Sequence, residues 1–344
     1  MFEGQNHYVI IGNGVAGNEA AKYLREHDSD SRITIITAGR LLFYNRYELP
    51  RIFHEDCDWR DFLVNPPEYY EKNRIIVRRN SLVNTVDSAR KTLTLDHKEE
   101  ISYDALLVAS GGRNYLPEHL TDSAHLFDNF QTFRAAQKVR DTLPKGGKVV
   151  MLGGDMIGLD LARNLVVNNY QVTVLASEQT FWPHVLQNSE RTKFLEALEH
   201  MGIEVIDGLA VERVEEGGRG MSARKIKLGD GREIFADIVM SFYGLTPSVE
   251  FMLGSGVDIE RGLLVNTHLQ TTDKSIWAAG DVCQIWSSEE NRYRFYYGWK
   301  NVKMMGEIAA KNMTGEDITI KTIPDENIFL NKKNEIDSPY WEYE

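Results

Sequence analysis

The chain has 344 residues, 42% hydrophobic and 26% charged, which is enough for two ordinary domains with buried cores and too apolar for a disordered protein. Its formal net charge of −12 excludes a binder of nucleic-acid backbones, which needs a basic footprint. No apolar run approaches the roughly 20 residues of a membrane span, and no signal-like segment precedes the first strand, so a cytoplasmic protein is expected.

In chain order the first signal is Tyr8-Val9-Ile10-Ile11, a short β-branched run that enters Gly12-Asn13-Gly14-Val15-Ala16-Gly17. A helix is predicted from Asn18 to Arg25, with Ala20, Ala21 and Leu24 on one face, and a second strand from Ile33 to Ile36. The glycines therefore sit where a βαβ unit turns from strand to helix. Gly12 permits the tight turn, Gly14 lets the backbone approach a pyrophosphate, and Gly17 lets helix and strand pack closely. The helix N-terminus offers free N–H groups and partial positive charge to the phosphates. The acid that usually contacts a ribose about 20 residues further on is replaced by Thr37. Its hydroxyl can still bond the sugar, without charge assistance.

The stretch from Leu41 to Arg51 mixes aromatics with Arg46 and Arg51, as a loop and short helix over a bound cofactor would, and Arg46 is the candidate phosphate clamp. Glu68 to Lys72 reads as helix, Ile75 to Val77 as strand, and Ser81 to Asp96 as a hairpin containing Val83. Tyr103 to Val108 is a buried strand that ends in Ala109-Ser110-Gly111-Gly112, small enough for a backbone to lie against a ligand, with Arg113 just beyond. A helix over Gln131 to Leu143 leads to a restart of the pattern.

Lys148 to Leu152 is a strand, Gly153-Gly154-Asp155-Met156-Ile157-Gly158 a second glycine turn, Leu159 to Val167 a helix, and Gln171 to Leu175 the next strand. Two tandem βαβ units imply two dinucleotide sites. The second turn departs from the pattern because its middle glycine is Asp155. A unit charge about 4 Å from a phosphate costs ~4 kcal/mol at an effective dielectric near 20, up to about a thousandfold in affinity. An alternative role for Asp155 is helix N-cap. Ala176 ends the following strand, where an acid would favour NAD and nearby arginines NADP. Further on, Glu190 to Met201 reads as helix, 226–228 with 233–235 as a hairpin, and Ile238 to Phe242 as strand. Ile276-Trp277-Ala278-Ala279-Gly280-Asp281 is read as a strand delivering a carboxylate into a helix start.

Cys57 and Cys283 are far apart and neither belongs to a C-x-x-C, so no local redox dithiol exists. No metal-ligand spacing is present.

The first glycine turn, Ala109-Ser110-Gly111, the second glycine turn and Ala279-Gly280-Asp281, in that order across residues 7 to 315, resemble the two-dinucleotide-binding-domain flavoproteins of the pyridine nucleotide-disulfide oxidoreductase superfamily. Tyr44-Asn45-Arg46 is similar to the nitrite reductase flavin module, and the length and missing dithiol are similar to the NADH:rubredoxin reductases. The resemblance implies an α/β fold of two Rossmann-like three-layer domains, the second inserted in the first. An FAD domain would take 1–115 and 245–315, an NAD(P) domain 116–244, and a short C-terminal tail 316–344, too short for the family's interface domain. It implies FAD contacts at Gly12, Gly14, Gly17, Arg46, Ala109, Gly280 and Asp281, with Arg51 and Trp299 near the flavin ring. Asn13, Val15, Ala16, Thr37, Asn45, Val83, Ser110, Gly111 and Arg113 complete the candidate FAD set, and Gly153, Gly154, Asp155, Ile157 and Gly158 form the nicotinamide set.

The activity implied is electron transfer from NAD(P)H through FAD to a small iron-sulfur or rubredoxin-like carrier protein, with no side chain required as acid or base. The basic, aromatic stretch Arg292 to Tyr297 is the candidate docking surface for such a carrier. Two alternatives stand beside it: a flavoprotein subunit of a larger iron-sulfur complex with a degenerate NAD(P) site, and an NAD(P)H oxidase.

Overall fold

The computed structural model describes residues 5–53, 58–218, 223–321 and 328–337. The chain forms two compact units, Met1–Asn45 with Leu63–Arg113 and Thr246–Asp325, and Arg46–Phe62 with Asn114–Leu245 and Glu326–Glu344. The expected domain boundaries put 46–62 in the first unit, whereas it groups with the second.

A five-stranded parallel sheet organises the first unit, in the order Ile276–Ala278, Ala105–Val108, His7–Ile11, Arg32–Ile36, Ile75–Arg78. All five residues of His7–Ile11 are buried, because a central parallel strand is covered on both faces and cannot alternate. Its register aligns Ile10 with Ile35 on one side and Leu107 on the other. The helix after the glycine turn runs Val15–His27, three residues earlier than predicted, since only Gly14 keeps the extended conformation of an N-cap. It packs against the helix Trp299–Met313. An antiparallel sheet of Val83–Asp87, Thr92–Leu95 and Glu100–Ser102 gives Val83, Val86, Leu93, Leu95 and Ile101 to the same core.

One expectation for this unit is overturned. Asp281 does not open a helix: the strand Cys283–Ser287 follows it, parallel to Leu263–Val265 and antiparallel to Arg292–Arg294. Val282, Cys283, Gln284 and Ile285 are all buried, which a two-sided strand satisfies and an amphipathic helix does not. The helix comes only at Trp299.

The second unit holds a four-stranded parallel sheet, Glu204–Asp207, Gln171–Ala176, Lys148–Gly153, Ile238–Phe242. The predicted hairpin at 226–228 and 233–235 gains Val211–Glu216 as a third strand, and Val214, Ile226, Leu228 and Ala236 join the core with Val150, Leu152 and Val239. The 3-10 helix Arg46–Phe53 belongs here through its apolar face. Phe53 lies 6.3 Å from Phe130 and 5.6 Å from Tyr170, centroid to centroid. Near the C-terminus Phe329–Leu330 pairs with Ile336–Asp337, and Ile336 is buried. Among the described residues no helix is long and apolar enough to cross a membrane. Cys57 lies outside the described residues.

Candidate functional site

The first glycine turn closes the C-terminal end of the central strand of the first unit, where the sheet order makes the two neighbouring connections diverge. Gly12 donates to the Ile36 carbonyl at 2.9 Å and has φ +119°. A Cβ there would collide with the Ala109 carbonyl, and one at Gly17 with the Gly12 carbonyl, so both glycines are dictated by backbone approaching backbone. Gly14 is different. A Cβ on it meets no heavy atom within 4 Å, and the helix it caps has no side-chain cap. Open space therefore faces N–H groups of the first helical turn that have no intrahelical partner, the arrangement that binds a pyrophosphate.

Behind the turn runs a network that the sequence reading missed. Asn13 donates to the Leu41 carbonyl at 3.3 Å and accepts from Asn18 at 2.8 Å, and Asn18 in turn accepts from the Tyr70 hydroxyl at 2.6 Å. Asn18 and Tyr70 are buried. A buried Asn beside a glycine turn is a weak signal in sequence, and its partner lies 52 residues away.

The other first-unit candidates fall as follows. Thr37 follows the strand Arg32–Ile36, and its hydroxyl accepts the Gly39 N–H at 3.1 Å. Ala109 N donates to Ile11 O, Ser110 Oγ donates to Ser248 O at 2.9 Å, and Gly111 has φ +68° with open space around it. Gly280 has φ +83°, and a Cβ on it would lie 3.4 Å from Val302 and 3.7 Å from Ala16. Gly280 thus stands at the start of the helix Val15–His27, next to Ala16. Trp299 opens the helix Trp299–Met313, whose N-cap Gly298 also lacks a side-chain cap, and its ring stacks on Phe43 at 6.1 Å. Val83 is a buried strand residue, Asn45 is buried, and Arg113 pairs with Glu250. Arg46 and Arg51 lie on the 3-10 helix of the second unit, where Arg46 is exposed and Arg51 pairs with Glu48.

The first unit thus brings together the turn Gly12–Gly17, Ala109–Gly111, Gly280-Asp281 and Trp299. The open cradle over Gly14, two uncapped helix N-termini and an aromatic face fit FAD.

In the second unit the glycine geometry recurs. Gly153 has φ +77°, and a Cβ there would stand 2.5 Å from the Tyr243 ring; at Gly158 one would stand 2.5 Å from the Phe242 ring. The Gly154 carbonyl accepts the Phe181 N–H at 2.7 Å. Ile157 lies half-buried in the first turn of the helix Met156–Val167. Asp155 is the N-cap of that helix: Oδ1 accepts the Gly158 N–H at 2.9 Å, and its own N–H donates to Phe242 O at 3.0 Å. Burial pushes its carboxyl up to about 6, against the pull of the Gly158 and Ile157 N–H groups. The glycine geometry is that of a dinucleotide turn, and the Asp155 side chain is the departure from it.

Ala176 is fully buried at the end of its strand. The charge absent there is supplied next door. Asp207, at the end of the adjacent strand, takes both Arg191 nitrogens at 2.6 and 2.8 Å, and the same guanidinium donates to the Ser177 carbonyl at 3.2 Å. Arg191 holds the Asp207 carboxyl below its ordinary range. Sequence carried no sign of this pair, since it forms only when helix and strand pack.

Cys283 is fully buried, with Sγ near the Ala278 and Gly280 carbonyls at 3.5 and 3.4 Å, and burial raises its thiol far above the usual range. In the stretch 292–297, Arg292 and Arg294 both pair with Glu290, while Trp286 meets Tyr293 edge-on at 5.1 Å and remains partly exposed.

Residues 6–312 match the family described as pyridine nucleotide-disulphide oxidoreductase. The chain is 25% identical over 272 residues to the NADH-dependent phenylglyoxylate dehydrogenase subunit epsilon of Aromatoleum evansii, covering 79% of this chain but 64% of that protein, under two thirds of its length. It is 26% identical over 318 residues to the NADH-rubredoxin oxidoreductase of Clostridium acetobutylicum, covering 92% of this chain and 76% of the relative. The fold matches the reductase of a covalent putidaredoxin reductase-putidaredoxin complex with a TM-score of 0.83 at 22% identity, over 94% of this chain and 78% of that one.

Proposed function

The chain belongs to the pyridine nucleotide-disulphide oxidoreductase family, and from that premise we propose that it is an FAD-dependent oxidoreductase that moves electrons from NAD(P)H to a small one-electron carrier protein of the rubredoxin or ferredoxin kind. The observation that carries this reading is the pair of glycine turns, each closing a strand of its own parallel sheet, in a chain whose one described thiol is buried beyond reach. The carrier class is suggested by the names of the relatives, above all the rubredoxin reductase. We place the protein in the cytoplasm, in keeping with its composition.

FAD would lie along the first unit, with 1–115 and 245–315 as its domain and 116–244 as the nicotinamide domain. Bound there, it supplies the exchange between a two-electron donor and one-electron acceptors. The chain's part is positional. Gly14 and the N–H groups of Val15, Ala16 and Gly17 would hold the pyrophosphate, the Thr37 hydroxyl a ribose, Gly280-Asp281 the sugar-alcohol chain, and Trp299 would cover a ring face while shielding it from water. No proton need be held by a side chain. The exposed Trp286 and Arg292, with the half-buried Tyr293, would offer the carrier an aromatic docking face whose arginines are held by Glu290.

The test is anaerobic stopped-flow mixing of the yellow protein with NADH and with NADPH, followed by addition of oxidised rubredoxin or ferredoxin. Bleaching of the flavin band by one nucleotide and its recovery on adding the carrier are expected. Bleaching by dithionite alone would overturn the donor assignment.

Asp155 favours a second reading, a flavoprotein subunit that exchanges electrons through protein contacts. Copurification with an iron-sulfur subunit, and reduction by that partner but by neither nucleotide, would establish it.

A further inference from the structure

The two glycine turns differ at the helix N-cap. At the first, the N-cap is Gly14, no side chain bonds the helix start, and space lies open above it. At the second, the N-cap is Asp155, whose carboxylate already accepts the Gly158 N–H at 2.9 Å and is 6% exposed. The N–H groups of a helix's first turn are what a dinucleotide pyrophosphate takes at such a turn. Here an internal anion holds them. Nucleotide and ionised Asp155 therefore compete for the same donors, and a second negative charge would be buried beside the first.

We propose that Asp155 gates the second dinucleotide site: the protonated side chain yields the helix N-terminus to the pyrophosphate, and the ionised one holds it, so that nucleotide binding takes up a proton and weakens as the pH rises. This rests on the reading of NAD(P)H as the donor.

The surroundings leave Asp155 to titrate by itself. On its own helix, Asp160 pairs with Arg163. The 3-10 helix packed on that helix carries Glu48 and Arg51, which pair, and Arg46, which is exposed. The strand Ile238–Phe242 brings the Phe242 carbonyl to the Asp155 N–H and is followed by Tyr243, whose phenol is pushed up to about 12 by burial and stays neutral. The strand Lys148–Gly153 keeps its lysine at the far end. The loop after Ala176 brings uncharged Thr180 and Phe181 to Gly154, and Arg191 at the neighbouring strand ends is paired with Asp207. Burial then dominates the carboxyl, opposed only by two backbone donors, which sets its titration near 6.

The experiment is isothermal titration of the FAD-loaded protein with a non-reducing tetrahydro-NADH or tetrahydro-NADPH between pH 5.5 and 8.5, in two buffers of different ionisation enthalpy. The wild type is expected to lose affinity about 50-fold from pH 6 to pH 8, as one proton lost near 6 requires, and to take up close to one proton per nucleotide at pH 7.5. Asp155→Asn keeps the helix cap without the charge, and is expected to bind with a flat pH profile and no proton uptake. Asp155→Gly, which clears the space, is expected to bind most tightly at pH 8. A wild-type profile parallel to that of Asp155→Asn, with no proton uptake, overturns the gate and leaves the donor reading intact. No binding by any of the three proteins at any pH overturns both.

Discussion

The carbonyl of Ala16 and the α-carbon of Gly306 meet at the crossing of the helices Val15–His27 and Trp299–Met313, so closely that a Cβ on Gly306 would collide with the carbonyl oxygen and stand 2.8 Å from the Ala16 α-carbon. One of these helices presents the first glycine turn and the other presents Trp299. Their separation is thus fixed by a glycine in neither motif.

Gly306→Ala is expected to push the two helices apart, because backbone cannot rotate out of the way as a side chain can. Overpacking of this kind costs about 2 kcal/mol, against which alanine's better helix propensity returns about 1. Differential scanning calorimetry and the ratio of flavin to protein absorbance would check it, with both melting temperature and flavin content falling. An unchanged flavin ratio would show that the crossing tolerates the shift.

Gly14→Ala and Gly17→Ala separate cofactor from fold. The Gly14 methyl enters open space, so the apoprotein should unfold within about 0.5 kcal/mol of wild type, yet it sits where the pyrophosphate must approach. FAD affinity should fall by roughly tenfold or more, about 1.4 kcal/mol. The Gly17 methyl collides with the Gly12 carbonyl and should lower apoprotein stability as well. Urea unfolding of both apoproteins, with flavin titration monitored by fluorescence quenching, tests the contrast.

Asp155 also leaves a mark on stability. Its folded titration near 6 lies above the ordinary 3.8, so its contribution is fully present below about pH 3.8 and is lost as the pH rises through 6. Over that window the wild type should lose about 3 kcal/mol relative to Asp155→Asn, with the difference constant above pH 7. Paired urea melts from pH 4 to pH 8 would show it. Curves that stay parallel throughout would mean that the buried carboxyl does not carry the proton.

Asp207→Ala frees the Arg191 guanidinium at the ends of the nucleotide-binding strands, where arginines favour a 2′-phosphate. The ratio of NADPH to NADH affinity should rise about tenfold, the 1.4 kcal/mol of one charge-assisted bond. Stopped-flow reduction at varied nucleotide concentration measures it, and a fall in both affinities alike would show that the pair serves only to hold strand and helix.

Cys283 should resist native-state alkylation by iodoacetamide, as read by peptide mass spectrometry, and become modified only in denaturant, because a buried thiol far above its usual range offers no thiolate. Cys283→Ala should leave flavin reduction by nucleotide unchanged.

Near-neighbour patterning made much of this legible. The apolar run before Gly12, the spacing of its glycines, the repetition at Gly153 and the Asp before a helix are each local, and the elements they specify form within a few residues. What the sequence left undecided depended on distant partners. The stretch after Leu41 reads as a loop and short helix, and only packing shows that Leu49, Ile52 and Phe53 form an apolar face whose partners, Phe130 and Tyr170, are far along the chain. Asp281 looked like a helix start because strand, glycine and acid so often precede one, but Cys283 and Ile285 had a waiting neighbour in Leu263–Val265.

The sequence by itself determined two dinucleotide-type folds, their glycine turns and the lack of a C-x-x-C dithiol, since each follows from residue type at short spacing. Tertiary structure decided which helix N-terminus stays open and which is filled by its own carboxylate. It also decided where Arg191 finds its charge and which glycine sets the helix crossing. These depend on which backbone and side-chain atoms are brought within about 3 Å of one another, and only packing fixes that distance.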